Sequence, residues 1–318
     1  MPDELSLQYD GRLTNIALQY KNPEYVADFI VPPIPVPNKK FTYKKYDKKD
    51  RFTVPDTRVG AKAEPNEVDF GVTEMTGTCL DYGLKEFVSN EDIDNAETPI
   101  TPLADAAEVV AQLMGLDREI RVATQVYTAA NYATTIDIAG AWATLTTDIL
   151  AQLLTGIDAC FAPPNVLAMG IPTWRAVSRN EKILAAVKGT LSPQMMKTGK
   201  LVAPAVNQLE LAEFLGLDAV IVGRAKRNTA NEGQTEAYSF VWDGTNATKG
   251  GAALLRVKTE AVKDIFWGGN FRWKEAQAYT RESPRGAYGG KEVRVVTTEV
   301  FKSTATDAGY LFMDCLLT

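Results

Sequence analysis

The sequence predicts an α+β protein in which extended segments precede a mixed core. From about residue 140 to 223, segments with helical spacing alternate with short apolar runs typical of buried strands, such as NVLAMG at 165–170 and AVIVG at 219–223. Beyond residue 238 the pattern is mostly that of strands. A proline-rich stretch, a basic stretch with aromatic residues and one long helical stretch come first. The fold therefore combines a packed α/β part with segments that extend from it.

The composition narrows the possible functions. The chain has 318 residues, 45% of them hydrophobic and 23% charged, which is ordinary for a folded protein. Its formal charge of -6 disfavours a surface built to bind nucleic-acid phosphates. The lack of histidine excludes Ser-His and Cys-His catalysis and histidine metal ligands. Cys79, Cys160 and Cys315 are too far apart for a CxxC metal site, so we expect three small buried hydrophobes.

Residues 1–38 are predicted to form an extended arm. The opening MPDELSLQYDGR is polar, and no apolar run approaches the roughly 18 residues that span a bilayer, so we expect a soluble, unexported protein of a reducing compartment with no membrane partner. VPPIPVP at 31–37 places four prolines in seven positions, which keeps the backbone extended. A short helix is expected at 23–29. Such an arm has no core of its own and is expected to lie on another surface.

A basic ribbon follows the arm. Residues 39–51, KKFTYKKYDKKDR, carry seven basic and two acidic residues with interleaved aromatics. Three interpretations are open: a strand that binds single-stranded nucleic acid, a solvated β-ribbon whose lysines protect an edge, or a ribbon that docks on an acidic partner. The candidate contact residues on this ribbon are Phe41, Tyr43, Lys44, Lys45, Tyr46 and Arg51.

An acidic block follows the basic ribbon. From Glu64 to Glu108 there are twelve acidic residues and one basic residue, Lys85, a local balance of -11. Adjacent blocks of opposite sign allow the ribbon of one copy to lie over the acidic segment of another, which predicts head-to-tail self-association. Folding of the two blocks against each other within one chain stays open as the alternative. The candidate contact residues on the acidic side are Asp92, Asp94, Asp105 and Glu108.

A short helix is predicted after a strand at 82–88. Ser89 and Asp92 form a capping box for a helix that runs to Ala96. Asp92 and Asp94 also suggest a calcium loop, but Ala96 and Glu97 occupy the next ligand position and the glycine position, which excludes it.

A long helix is predicted over residues 101–131. Thr101 is placed as its N-cap and Pro102 at its first helical position. About 30 residues of helix would be about 45 Å long, and Gly115 is expected to soften it. The apolar residues at near-helical spacing are Leu103, Ala107, Val110, Met114, Ile120, Ala123 and Tyr127.

The rest of the chain is predicted as short helices and strands. Helices are expected at 145–157, at 172–188 with Gly189 as the stop, and at 208–215. Strands are expected at 238–242, 252–257, 293–301 and 309–317, with a turn at the Gly268–Gly269 pair and a loop at 283–292.

No motif requires an enzyme. Gly289, Gly290 and Lys291 lack the spacing of a phosphate-binding loop. Glu210 and Glu213 share one helix face and could form an acid/base pair, although carboxylates at this spacing are usually solvated. We therefore expect no catalytic residues, no cofactor and no metal site.

Several segments occur in a recognisable order. The early ones are LTNIALQYKNPEYVADFIVPPIPV, YKKYDKKDRF and VSNEDIDNAE, and the later ones are NVLAMGIPTWRAVSRNEKILAAVKG, LAEFLGLDAVIVGRA and FVWDG. In this order and spacing they resemble the major capsid proteins of tailed bacteriophages over essentially the whole chain.

The resemblance implies the Hong Kong 97-like fold and an icosahedral shell. Residues 1–38 would be the N-terminal arm, 39–80 the extended loop, 81–139 a peripheral domain with its spine helix at 101–131, and 140–260 the axial domain. Residues 261–318 would return as strands to the peripheral domain. Some members crosslink a loop lysine to a neighbour, but none of the ribbon lysines can be matched to that role.

The resemblance also implies partners and a location. Copies of the chain would assemble as pentamers and hexamers in the host cytoplasm and remain in the virion capsid. A separate scaffolding protein and a portal are implied, the presence of a decoration protein is left open, and contact with packaged DNA would be weak and non-specific. The alternatives are an encapsulin-like compartment shell and an α/β enzyme that uses Glu210 and Glu213.

Overall fold

The computed structural model describes residues 7–19, 22–46, 54, 56–60, 64–67, 72–97, 100–190, 206–244, 249–257 and 265–316. The first part of the chain contains β1 (Gln8–Tyr9), α1 (Gly11–Gln19), α2 (Ala27–Ile30), β2 (Pro33–Pro35), β3 (Lys40–Tyr46), β4 (Val72–Thr78), β5 (Leu80–Ser89), α3 (Asn90–Asp94), α4 (Pro102–Val126) and β6 (Thr134–Asp137).

The second part alternates helices and strands before it ends in strands. It contains α5 (Ile149–Ala159), β7 (Val166–Gly170), α6 (Ile171–Arg179), α7 (Glu181–Thr190), α8 (Gln208–Leu215), β8 (Ala219–Gly223), β9 (Lys226–Asn228), β10 (Tyr238–Phe240), β11 (Gly251–Leu255), β12 (Gly268–Ser283), β13 (Gly290–Ser303) and β14 (Gly309–Met313). Within the described ranges, no helix is both long and apolar enough to cross a membrane.

The long sheet has the strand order β1-β12-β13-β5, and β2 pairs with β12 in parallel. Its antiparallel strands β12 and β13 are 16 and 14 residues long. Side chains alternate between the two faces of such a sheet. One face packs against α1 and the first half of α4 through a core that includes Leu13, Val110 and Val293.

The central sheet has the strand order β6-β14-β11-β7-β8 and is covered on both faces. Leu254 of β11 lies in a core with helices α5 to α8, whereas its neighbours Ala253 and Leu255 lie in a second core with the end of α4. Burial on both faces explains why β7 and β11 are continuously apolar. α4 therefore connects the two sheets, because its first half packs on one and its second half on the other.

Most predicted elements are present, but several helices differ from the prediction. The segment predicted as one helix from 172 to 188 is two helices, broken at Asn180. The Asn180 side chain accepts hydrogen bonds from the Lys182 and Ile183 amides and donates to the carbonyls of Leu145 and Thr147, so it caps α7 and fastens a loop. The predicted helix at 23–29 is the single turn α2, and α1 lies before it.

The long helix is shorter than predicted. It ends at Val126, so its 25 residues span about 37 Å. The helix ends there because the side chains of Tyr132 and Asn131 donate hydrogen bonds to the carbonyls of Val126 and Gln125 and satisfy its last turn. Thr101 makes no side-chain cap, since its ψ of 87° lies outside the extended region of usual N-caps. Pro102 does stand at the start of the helix.

The C-terminal strands differ from the prediction in two ways. Gly268 and Gly269 begin β12 instead of forming a turn; a Cβ at Gly269 would lie 2.4 Å from Ile34 Cδ1, so the glycines admit close packing. Of the C-terminal strands in the described residues, β12 and β13 return to the long sheet. β14 pairs with β6 and β11 in the central sheet, where its consecutive residues Leu311 and Phe312 point to opposite faces and fill both cores of that sheet.

Candidate assembly surface

The ribbon is an antiparallel pair whose root is fixed in the subunit. β3 and β4 pair from Lys40↔Thr78 to Tyr46↔Val72. At the root, Phe41 is 8% exposed and its ring centroid lies 4.7 Å from that of Phe271, while Tyr43 stacks on Phe271 at 5.6 Å. A Cβ at Gly77 would lie 2.5 Å from the Phe41 ring, so glycine is required opposite it.

The root also carries polar contacts. Cys79, fully buried, donates its thiol to the carbonyl of Phe271 at 3.5 Å. Lys39 pairs with Asp81, which also accepts a 2.8 Å hydrogen bond from the Thr298 hydroxyl. The Lys39 ammonium and the Thr298 hydroxyl hold the pKa of Asp81 below its ordinary value. These contacts fix where the ribbon leaves the sheet.

The sequence-predicted ribbon residues differ in where the structure places them. Phe41 and Tyr43 lie in the root cluster of their own chain. For Lys44, Lys45 and Tyr46 the structure describes the backbone, which is part of β3. Arg51 lies outside the described residues.

The four acidic candidates lie around one corner of the long sheet. Asp92 and Asp94 are exposed in α3, where the Ser89 hydroxyl accepts a 3.0 Å hydrogen bond from the Asp92 amide as the capping box predicts. Asp105 and Glu108 are exposed in the first two turns of α4. α3 and α4 are neighbours, because Ile93 and Leu103 pack on the same core.

An apolar row that the sequence analysis missed continues this corner. Val109 and Leu113 of α4 are 48% and 49% exposed, and Ile100 before the helix is 59% exposed. Val109 and Leu113 are four residues apart, so they lie one above the other on the helix beside Asp105 and Glu108. The signal was present as a second apolar pair outside the core stripe. We call Ile100, Asp105, Glu108, Val109 and Leu113 the outer face of α4.

The ribbon root and the acidic corner stand at opposite ends of β5. Leu80 follows Cys79 at the ribbon root, and Ser89 begins the corner. Ten residues of strand span about 30 Å. Within one subunit the two candidate surfaces therefore start far apart.

A buried charge cluster joins the long helix to the long sheet. Glu299 is fully buried and accepts hydrogen bonds from three guanidinium groups: Arg118 at 3.2 Å, Arg121 at 3.0 Å and Arg272 at 3.1 Å. Burial opposes its ionisation, but the three arginines outweigh burial and lower the pKa of Glu299 to about 2. Asp28 of α2 contacts Arg118 and Arg272, so the arm takes part in this cluster.

A second buried carboxylate fastens the arm. Glu119 of α4 is 1% exposed and accepts a 2.7 Å hydrogen bond from the Ala27 amide and a 2.6 Å bond from the Trp242 indole. Burial raises the pKa of Glu119, while these two donors act in the opposite direction. Sequence analysis missed these charges because most of their partners are about 90 to 180 residues away in the chain, and even the nearest, Arg272, is 27 residues from Glu299.

The cysteines and the potential metal ligands bear on two further predictions from the sequence. Cys79, Cys160 and Cys315 are free and buried, which confirms the prediction made for them. In the part of the chain that the structure describes, no group of three or more potential ligand side chains could hold a metal ion. An arm, a ribbon, a long helix and two sheets define a class of subunit built from extended segments on a packed core.

Comparison with known proteins agrees with this class. The chain is 33% identical over 312 residues to the protein named "Major capsid protein" of Pseudomonas phage JBD67, and the match covers 95% of this chain and 96% of the other. This identity over nearly the whole of both chains shows that the chain belongs to the family of phage major capsid proteins. No protein-family model matches the sequence.

Solved structures place the fold. A phage-related protein from Bordetella bronchiseptica matches with a TM-score of 0.73 at 17% identity, covering 98% of this chain and 99% of the other. The capsid of cyanophage P-SCSP1u matches with a TM-score of 0.52 at 11% identity over 89% and 86% of the chains. The encapsulin SrpI of Synechococcus elongatus matches with a TM-score of 0.50 at 11% identity, covering 92% of this chain and 88% of the other. The fold is the α+β Hong Kong 97-like capsid fold, and the chain is a structural subunit of a phage head shell.

Proposed function

We propose that this chain builds the icosahedral head of a tailed phage by assembling as pentamers and hexamers around packaged double-stranded DNA. The observation that carries the proposal is the similarity along nearly the whole chain to a phage major capsid protein. Closure of a shell makes many weak contacts cooperative, so no single interface has to be strong. A mildly acidic subunit, with a formal charge of -6, also suits a container that must not bind DNA tightly.

Each part of the subunit corresponds to a region of the Hong Kong 97-like fold. Residues 1–38 act as the arm, 39–80 as the extended loop, and the long sheet with α4 as the peripheral domain. The central sheet with α5 to α8 acts as the axial domain, which includes β6 and β14 in addition to residues 140–260. We propose a structural role without catalytic activity, cofactor or metal.

The contact between copies joins the ribbon to the acidic corner. The basic block of β3 from one copy would lie over α3 and the outer face of α4 in the next copy. Three features support this contact: the opposite charges, the exposed apolar pair Val109 and Leu113, and the separation of about 30 Å within one subunit. A contact between different patches of identical subunits is heterologous, so it closes into rings where the rotation allows.

A charge reversal tests this contact. K44E/K45E should weaken assembly in a salt-dependent way, because the reversed lysines would meet Asp105 and Glu108. D105K/E108K should do the same, and the quadruple variant should restore assembly, as followed by light scattering. K226E on the short strand β9 is the control and should assemble normally. Unchanged assembly in both double variants would remove the electrostatic contact; lowered subunit stability without an assembly defect would favour contact within one chain.

Partners beyond the chain itself are a separate scaffolding protein, a portal and an optional decoration protein. Assembly would occur in the bacterial cytoplasm. An encapsulin-like compartment is the second candidate, since an encapsulin has the same fold. Purification from the native source separates the two, because a compartment shell should retain an enzyme as cargo and a phage head should retain DNA.

A further inference from the structure

We propose that three residues of β12, Asn270 to Arg272, form a junction that couples the long helix to the ribbon, with Glu299 as the positioning residue. The coupling is a property of the single subunit. Its consequence for assembly, the direction in which the ribbon reaches a neighbour, rests on the proposed function.

One face of the junction is bound to the long helix. Asn270 and Arg272 donate hydrogen bonds of 3.0 Å and 3.1 Å to Glu299 Oε2. The other oxygen, Oε1, accepts from Arg118 and Arg121 of α4. A carboxylate that is fully buried among three guanidinium groups has little freedom to move, because losing a partner would weaken the compensation of a buried charge.

The opposite face of the junction carries the ribbon. Phe271 lies between Asn270 and Arg272, so its side chain points to the other side of the sheet. There it packs against Phe41 and Tyr43, and its carbonyl accepts the Cys79 thiol. The ribbon thus rests on the one residue whose two neighbours are held by Glu299.

The edge of the junction carries the arm. Pro33 to Pro35 pair with Asn270 to Arg272 in parallel, and the Val36 amide donates a 2.9 Å hydrogen bond to the Arg272 carbonyl. Ile34 packs into the same cluster as Phe41. The arm is therefore positioned by the same three residues as the ribbon.

The strand is regular within the junction and irregular directly after it. Asn270, Phe271 and Arg272 pair in sequence with Phe301, Val300 and Glu299, and the register shifts between Arg272 and Lys274 and again before Gln277. Such irregularities are where a strand bends. A change in the tilt of α4 is thus expected to move the junction as one piece, and the ribbon root with it.

Hydrogen exchange of the full chain tests the coupling. In E299Q, the backbone amides of the ribbon root, residues 40–43 and 75–79, should exchange about tenfold faster, because a charged partner of the junction is lost. The matched control is E292Q: Glu292 is in the same strand and also binds two cations, Lys85 and Arg294, but it pairs with Arg281, nine residues beyond the junction in β12. Exchange at the ribbon root in E292Q should change less than about twofold.

D28N keeps the test decisive if E299Q does not fold. Asp28 is half-exposed and touches Arg118 and Arg272, so its loss weakens the cluster without leaving Glu299 unpaired. It should speed exchange at the ribbon root about threefold. Faster exchange in α2 with an unchanged ribbon root would overturn the coupling, as would equal effects of E299Q and E292Q. If the exchange results are as expected but the unmodified chain does not assemble into shells, the coupling stands and the proposed function is contradicted instead.

Discussion

Single buried carboxylates differ in whether folding favours their ionised form. Glu299 and Glu292 are held ionised by arginine and lysine partners, with the pKa of each near 2. Asp243 is the opposite case: its side chain is buried, its Oδ1 has no hydrogen-bond partner among the described residues, and burial raises its pKa to about 6. The sequence identified none of these three, because nothing local distinguishes them from exposed acids.

Asp243 makes the subunit more stable as the pH falls from 7 to 4. The pKa of Asp243 is about 6 in the folded state and has its ordinary value of 3.8 in the unfolded state. Between these two pH values the folded state binds a proton that the unfolded state does not bind, so folding becomes more favourable as the pH falls. The difference between the ordinary pKa of 3.8 and the raised value of about 6 corresponds to about 3 kcal/mol of unfolding free energy. D243N should remove this slope and raise stability at pH 7, measured by urea unfolding. D158N, an exposed acid in α5, is the control; an unchanged slope in D243N would contradict the assignment.

Glu299 and Glu292 have the opposite effect at lower pH. Their folded-state pKa values lie below the ordinary value of 4.5, so their contribution is present above pH 4.5 and is lost as the pH falls toward 2. Acid unfolding should therefore begin below about pH 4.5. E299Q should be less stable at pH 7 and show a shallower acid limb in circular dichroism. A limb as steep as that of the unmodified chain would exclude Glu299 as its source.

At the scale of elements, hydrophobic periodicity predicted the buried face of the long helix but did not predict strand β12. The stripe containing Ala107, Val110 and Met114 is buried as expected, since helical spacing alone places these residues on one face. β12 was missed because the Gly268–Gly269 pair suggested a turn at the position where the strand begins. The two glycines serve close packing against residues far away in the chain, which local sequence does not encode.

Gly115 of the long helix receives the arm and does not merely soften the helix. A Cβ there would lie 2.8 Å from the ring of Tyr25, whose hydroxyl also donates to the Gln112 carbonyl at 3.3 Å. Gly to Ala inside a helix usually stabilises by about 1 kcal/mol. Here G115A should instead destabilise by about 1 kcal/mol in thermal unfolding, because the ring must move.

The control for this effect is a double-mutant cycle with Tyr25. In a Y25A background the G115A substitution should show the ordinary stabilisation of about 1 kcal/mol. Stabilisation by G115A in the presence of Tyr25 would show that the ring does not occupy the space.

At the scale of the whole molecule, the order of segments predicted the fold class, whereas the placement of strands depended on long-range pairing. β6 and β14 belong to the central sheet, which requires pairing between residues 134–137 and 310–313. The candidate contact residues were predicted from charge and position, and their contact between copies is still a prediction. Phe41 and Tyr43 show why: the same aromatic character suits a surface contact or the root cluster in which they lie.

Light scattering combined with electron microscopy of the purified full chain tests the central claim most directly. The chain should form closed shells, or pentamers and hexamers that convert to shells, alone or together with a scaffolding protein encoded beside it. A stable monomer in every condition would contradict the account of this chain as the subunit of a phage head shell.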